Sequence, residues 1–375
     1  MTAATPPSEL DELATTIRSF CKERLPDPTR ARPGEVRDAE AAQAGWRALV
    51  SELGVGALLV AEEHGGDGAT LVEAGRVAET LGEHVAAVPF LASGVLAPAL
   101  LNALTEESDD AAGLLRRIAE GAIATVAWAE DQTGSASDAP LWAFDADRVD
   151  AQRRYVIDAD IADVVLLVGA GGEQIAAVEA ADLTITPRAS FDLTRGLADV
   201  TAASAPAVTL ARGDRGRAAF EAMLTAGRLA LAAESAGGAV AALRVATDYA
   251  KQRVQFGREI GSFQAIKHLL ADAFVNAESA LSVARLATDS QVADEPDAAE
   301  LVATASFYCA ERFVDVAATG IQVYGGIGFT VETTPHLYRR RAESNRHLLG
   351  DPARLKSDYV ALLASGAPSI EEARA

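Results

Sequence analysis

From about Ile123 to about Arg215, the helical periodicity that fills the rest of this 375-residue chain gives way to short apolar runs separated by turn residues. The runs are IATVAW, PLWAFDA, YVID, VVLLVGA, QIAAVEA, LTIT and AVTL. A chain with helices on both sides of such a block has few ways to bury both textures. The pattern predicts a mainly α fold with an inserted antiparallel β domain, barrel-like or sandwich-like, over residues 121–212. A helical domain over 1–120 precedes it and a four-helix bundle over 213–375 follows. Single cores stop growing at about 250–300 residues, which also favours division.

In the first helical part, Leu10, Leu13, Ile17 and Phe20 recur at helical spacing, as do Trp46, Leu49, Val50 and Leu53 before Gly54. Thr70 and Glu73 predict a capping box, opening a helix whose Leu71, Ala74, Val77, Ala78 and Leu81 share a face and which Gly82 ends. The HGGDG run, His64–Gly68, lacks the lysine and hydroxyl of a phosphate loop and reads as a connection. Beyond Arg217, Ile266, Leu269, Leu270, Phe274, Ala277, Leu281 and Ala284 form one apolar face, and Leu301, Ala305, Tyr308, Phe313 and Val316 another. The acidic loop Asp294–Asp297 joins them, and long alanine-rich antiparallel helices suggest a four-helix bundle.

A net charge of -21 disfavours nucleic acid and anionic membranes as partners, and an anionic ligand would need a local basic patch. Two cysteines, Cys21 and Cys309, give no disulfide framework. The polar, acidic start is unlike a signal peptide, and no run is expected to reach the roughly 18 apolar residues of a membrane span. The expected location is cytoplasmic. The five histidines show no metal-ligand spacing.

Two segments carry chemistry. In QRVQFGREIGSFQAIKHLLAD, Gln252–Asp272, Arg253 ends a helix before a turn punctuated by Gly257 and Gly261 and a restart at Ser262. A guanidinium there can present its fork of donors to a pyrophosphate or simply favour the helix dipole. In IQVYGGIGFTVETTPHLYRRR, Ile321–Arg341, glycines let a backbone approach a ligand without a Cβ in the way, or stop a helix.

Together these segments resemble the acyl-CoA dehydrogenase family, flavoproteins that desaturate a thioester between its α and β carbons. GWRALVSELGVGALLVAEEHGGDGATLVEAGRVAETLG resembles the family's first domain. AWAEDQTGS lies where a strand and loop touch the flavin, and YVIDADIADVVLLV and FDLTR, with Asp192 and Arg195, are similar to its β domain. The resemblance implies FAD, an acyl-CoA substrate, an electron-transferring flavoprotein as acceptor, and a dimer of dimers. It assigns Arg253 and Phe256 to a flavin site across the dimer interface, with Gln255, Ile260, Phe263 and Gln264 around them. Gln322, Gly325 and Gly326 would meet the adenosine part. The AWAEDQTGS match is looser than in well-studied members, where hydroxyl residues of this strand bond the flavin; here Trp128, Glu130 and Asp131 stand nearby.

Desaturation needs a carboxylate to take the α-proton. The family's two base positions correspond to Leu349, in HLLGD, and to Gly227, before Arg228. Glu234, seven residues beyond Gly227 on nearly the same helical face, is the candidate base: its apolar surroundings would raise its pKa, unless it is paired with an arginine or a helix end. Glu343 among Arg339, Arg340, Arg341 and Arg346 reads as an ion-pair face or a CoA-phosphate patch, and Asp351 before Pro352 as the start of a turn.

The first expectation is therefore an FAD-dependent acyl-CoA dehydrogenase with Glu234 as base, in a homotetramer. A second is a non-catalytic subunit that completes the FAD site of a base-bearing homologue in a heterotetramer. The family includes actinobacterial assemblies of this kind that act on bulky acyl-CoA thioesters such as those of steroid side chains. A flavin oxidase or monooxygenase on the same fold is a third.

Overall fold

The computed structural model describes residues 7–106, 108–128, 142–145 and 147–366. Helices α1 (Pro7–Arg24), α2 (Ala39–Leu53) and α3 (Leu71–Glu83) lead into a π-helical segment, Phe90–Leu96, which runs on as α4 (Ala97–Asn102) before α5 (Asp109–Ala119). The capping box at α3 forms as expected: the Thr70 hydroxyl accepts from Val72 N–H, while the Glu73 carboxylate accepts from Thr70 N–H. Gly82, expected to end this helix, lies inside it. A Cβ there would stand 2.1 Å from the Glu234 carbonyl oxygen, so the glycine marks a helix crossing and not a stop.

Among the described residues eight strands follow: β1 (Ala124–Trp128), β2 (Trp142–Asp145), β3 (Arg148–Ile157), β4 (Val164–Val168), β5 (Gln174–Glu179), β6 (Thr184–Arg188), β7 (Leu197–Pro206) and β8 (Val208–Arg212). They form two four-stranded sheets, ordered β1-β4-β5-β8 and β2-β3-β7-β6. Pairing is antiparallel except between β1 and β4, which run parallel. Strand β4 is buried throughout, and its alternation divides it between two cores. Val164, Leu166 and Val168 join the large core shared with the first helices, whereas Val165 and Leu167 face the other sheet. Strand β7 had no counterpart among the expected runs, because alanine recurs along it, an aspartate interrupts it and a proline ends it, residues depleted in strands, leaving Val200 and Thr201 as its β-branched positions.

The C-terminal part consists of α6 (Asp214–Gln252), a short hairpin of β9 (Val254–Gln255) and β10 (Arg258–Glu259), α7 (Gln264–Val292), α8 (Ala298–Tyr324), α9 (Pro335–His347) and α10 (Pro352–Gly366). Helix α6 is the axis of the molecule, packed against α3, α7, α8, α9 and the π-helical segment. It corrects one expectation: it is long and apolar enough to cross a membrane by length and composition. Most of that stretch is buried by protein, which is why α6 is apolar on every side. The expected single face of α7 also divides. Ala273, Ala277, Ala280, Ala284 and Ala287 pack inward, whereas Leu269, Phe274, Val275 and Leu286 are exposed.

Candidate functional site

Arg253 leaves α6 in an extended conformation, its N–H still bonded to the Tyr249 carbonyl, and the chain turns back at once. Gln255 pairs with Arg258 and Val254 with Glu259, so Phe256 and Gly257 occupy the two corner positions with φ of +55° and +76°. Positive φ at both is the geometry of a tight hairpin turn and suits glycine or asparagine; a phenylalanine there stores strain of about 1–2 kcal/mol. Among the described residues, burial does not repay it, since Phe256 is 93% exposed. Its ring meets that of Phe263 edge-on at 6.2 Å, and the Arg258 guanidinium lies 3.9 Å from the Phe263 ring centroid. The Gln255 side-chain amide donates to the Val254 carbonyl. Helix α7 starts at Gln264 after Phe263, so the expected cap at Ser262 is not made; its hydroxyl donates instead to the Glu259 carbonyl.

The second segment arrives at the same end of the bundle. Tyr324, the last residue of α8, stacks on Tyr249 with centroids 3.9 Å apart, and Ile260 packs on the cluster of Ala246, Ala250 and Val323. Gly261 permits this approach, because a Cβ would come within 2.9 Å of the Ala250 carbonyl. After Tyr324 the chain passes through Gly325, with φ +66°, and Gly326. Among the described residues, no atom outside the adjoining backbone lies within 4 Å of where either Cβ would stand, so both backbones face open space. Gln322 and Phe329 are exposed beside them. The structure thus brings Arg253, Gln255, Phe256, Ile260, Phe263, Gln264, Gln322, Gly325 and Gly326 to one end of the bundle. The exposed Arg253 guanidinium makes no ion pair among the described residues.

Glu234 is elsewhere, and its environment is that of the arginine-paired glutamate weighed above as the alternative to a base. At about 1.5 Å per residue, the 18 residues from Glu234 to Gln252 span about 27 Å of α6. Its Oε1 accepts hydrogen bonds from Arg195 Nη2 (2.6 Å), Arg341 Nη1 (2.8 Å) and Asn345 Nδ2 (3.3 Å). Burial alone would raise its pKa, but Arg195 and Arg341 outweigh burial and hold it below the ordinary glutamate value. A base needs the opposite shift. The same Arg341 donates to Asp192 Oδ2 (2.6 Å), the Thr194 hydroxyl (2.6 Å) and the Ala86 carbonyl (3.2 Å), fastening α9 to the β domain and to the first helices. Nearby, Arg37 grips Asp158 and Asp160, each at 2.6 Å. Backbone contact fixes Glu234 too: Gly82 lies under its carbonyl, and a Cβ at Gly237 would stand 1.9 Å from the Glu79 carbonyl.

The two positions that resemble the family's base sites face each other. A Cβ on Gly227 would stand 2.4 Å from Leu96 Cδ2 and 3.0 Å from Leu349 Cδ1. Leu349 holds a left-handed φ of +59°, and its carbonyl accepts a long bond of 3.5 Å from Arg228 Nε. The 25 residues from Gly227 to Gln252 span about 38 Å, so this point and the exposed hairpin lie towards opposite ends of α6.

The other acidic candidates have local roles. Glu343 pairs with Arg339 at 2.5 Å and Arg346 at 3.9 Å, while Asp351 Oδ1 accepts from Ala353 N–H at the start of α10. Trp128 packs edge-on against Phe220 of α6, whereas Glu130 and Asp131 lie outside the described residues. The residues sequence reasoning missed are Leu96, Asp192 and Arg341 as partners of the two centres; only the FDLTR run hinted at the second.

Known proteins agree with this architecture. The family model "Acyl-CoA dehydrogenase, N-terminal domain" matches residues 7–122, and "Acyl-CoA dehydrogenase, C-terminal domain" matches residues 214–357. The chain is 34% identical over 331 residues to "Acyl-CoA dehydrogenase IpdE2" of Mycolicibacterium smegmatis, covering 86% of this chain and 90% of that protein. Among solved structures, a variant of the "Tcur3481-Tcur3483 steroid ACAD" superposes with a TM-score of 0.81 at 26% identity, over 96% of this chain and 98% of the other. The ChsE4-ChsE5 complex from Mycobacterium tuberculosis superposes with a TM-score of 0.80 at 25% identity, over 98% and 100%. With both helical domains matched and the whole fold shared, the chain belongs to the acyl-CoA dehydrogenase family.

Proposed function

We propose that this chain is the subunit without a base in a heterotetrameric acyl-CoA dehydrogenase, and that it completes the FAD site of a homologous subunit carrying the catalytic carboxylate. One observation carries the reading. Both base positions are occupied by apolar contacts, at Gly227 and Leu349, while the Arg253 hairpin stands fully exposed about 38 Å away along α6. A strained, exposed aromatic beside a guanidinium with no ion pair among the described residues is costly to keep unless another molecule uses it.

The residues present fit the ADP end of FAD. The Arg253 fork suits a pyrophosphate, and the open space over Gly325 and Gly326 lets a flat group rest on backbone. Phe256, Phe263 and Gln322 would flank it. When bound, FAD supplies the acceptor for the hydride that leaves the acyl β-carbon, and the homologous subunit supplies the base. Electrons would pass on to an electron-transferring flavoprotein. The exposed Phe274, Val275 and Leu286 of α7, continuous in sequence with the hairpin, offer apolar area for the subunit contact. Two similar structures contain paired, differently named chains, and one is called a steroid enzyme. They favour a bulky acyl-CoA as substrate of the pair.

The test is to purify the chain alone and with a homologous subunit encoded beside it, then measure flavin per chain, mass in solution and dehydrogenation. The expected result is one flavin per pair and no turnover by the chain alone. One flavin per chain together with turnover by the pure chain would reject the reading. In the pair, Arg253→Ala should weaken flavin retention at least tenfold.

A further inference from the structure

The side chains that meet at Gly227 bear on whether this chain can accept an acyl thioester itself. The inference rests on the reading above, in that it takes positions 227 and 349 as the places from which a base would reach substrate.

The missing side chain at Gly227 leaves no vacancy. Leu96 and Leu349 fill the space, at 2.4 and 3.0 Å from where a Cβ would begin. Leu96 closes the π-helical segment Phe90–Leu96, every residue of which is buried, and such wide turns recur at functional sites. The segment is itself tightly packed: a Cβ on Gly94 would meet the Phe90 ring at 2.6 Å. Leu349 is turned inward by a left-handed backbone that a leucine adopts only at a cost.

Two helical turns along α6, at Glu234, the same segment borders a void of about 10 Å³ lined by Phe90 and Leu91 on one side and Arg195, Glu234 and Arg341 on the other. That is room for one water at most. The seam between α6 and the segment is therefore filled at Gly227 and ends on buried, paired charges, which an alkyl chain could meet only by displacing their hydrogen-bond partners.

We infer that Leu96 and Leu349 are specificity-determining residues that close the seam beside Gly227 against the alkyl part of an acyl thioester.

The experiment is calorimetric titration of the full chain with CoA and with octanoyl-CoA, before and after Leu96→Ala/Leu349→Ala. The wild-type chain should bind the two alike, within about twofold. The double variant should prefer octanoyl-CoA at least tenfold, because the opened seam accepts the alkyl chain. A tenfold preference in the wild type overturns the inference, as does a folded double variant with no preference. If circular dichroism shows that the double variant does not fold, Leu96→Val is titrated instead. It must gain at least threefold, and no gain overturns the inference. None of these ratios depends on flavin, so they separate failure of the pocket argument from failure of the shared flavin site.

Discussion

At the scale of single residues, Phe256 and Glu234 show how differently two conspicuous side chains behave. Phe256 combines a strained backbone with an exposed ring, so Phe256→Asn should leave stability unchanged or raise it by up to about 1 kcal/mol, because asparagine tolerates positive φ and relieves strain that the lost Phe263 ring contact only partly offsets. Flavin retention by the assembled pair should nonetheless fall; urea unfolding and flavin absorbance would measure the two effects. Glu234→Gln should do the reverse, costing about 3 kcal/mol of stability, since it leaves Arg195 and Arg341 short of a buried counter-charge. The sign of the pH dependence follows from direction. Glu234 and Asp192 titrate below their ordinary values in the folded chain, Asp192 because Arg341 and Arg195 outweigh its burial. The stability they contribute is present above the unfolded carboxylate pKa, about 4, and is lost as pH falls through the folded values. Asp158, raised by burial, has the opposite sign. Urea unfolding between about pH 3 and 7 should show the Glu234→Gln deficit narrowing on the acid side; a deficit constant with pH would contradict the ion-pair account.

At the scale of elements, glycines distinguish packing from ligand access. Gly82 and Gly237 sit where α3 and α6 cross, each with its missing Cβ against the other helix's carbonyl, at 2.1 and 1.9 Å. Gly237→Ala should therefore destabilise by about 2–3 kcal/mol, because only backbone can move aside. Gly326 has open space around it and no positive φ. Gly326→Ala should leave the isolated chain as stable as before and impair flavin uptake by the pair, a contrast read by thermal unfolding of one and flavin content of the other. The capping box at Thr70 and the turn at Asp351 were legible in sequence because their partners lie two or three residues away. Gly82 was misread as a helix stop because what demands it, the Glu234 carbonyl, is remote in the chain.

At the scale of the whole molecule, Arg341 is the point where three domains meet: its guanidinium reaches Ala86 in the first, Asp192 and Thr194 in the second and Glu234 in the third. Arg341→Ala should cost about 3–5 kcal/mol and weaken hydrogen-exchange protection in α3, β7 and α9 together. Breaking the exposed Arg117–Glu179 pair should change stability by less than about 1 kcal/mol. The sequence by itself determined the order of helical and strand-rich parts, most helix faces, and the two segments that form the exposed end of the bundle. These depend on periodicities of two and 3.6 and on turn chemistry within a few residues. Only the tertiary structure decided that Glu234 is a buried ion-pair partner, since Arg195 and Arg341 stand 39 and 107 residues from it. It alone decided, too, that Gly227, Leu96 and Leu349 close on one another. Burial and charge pairing are made by chain segments distant in sequence, and a local pattern carries no record of which side chain will arrive from the other side.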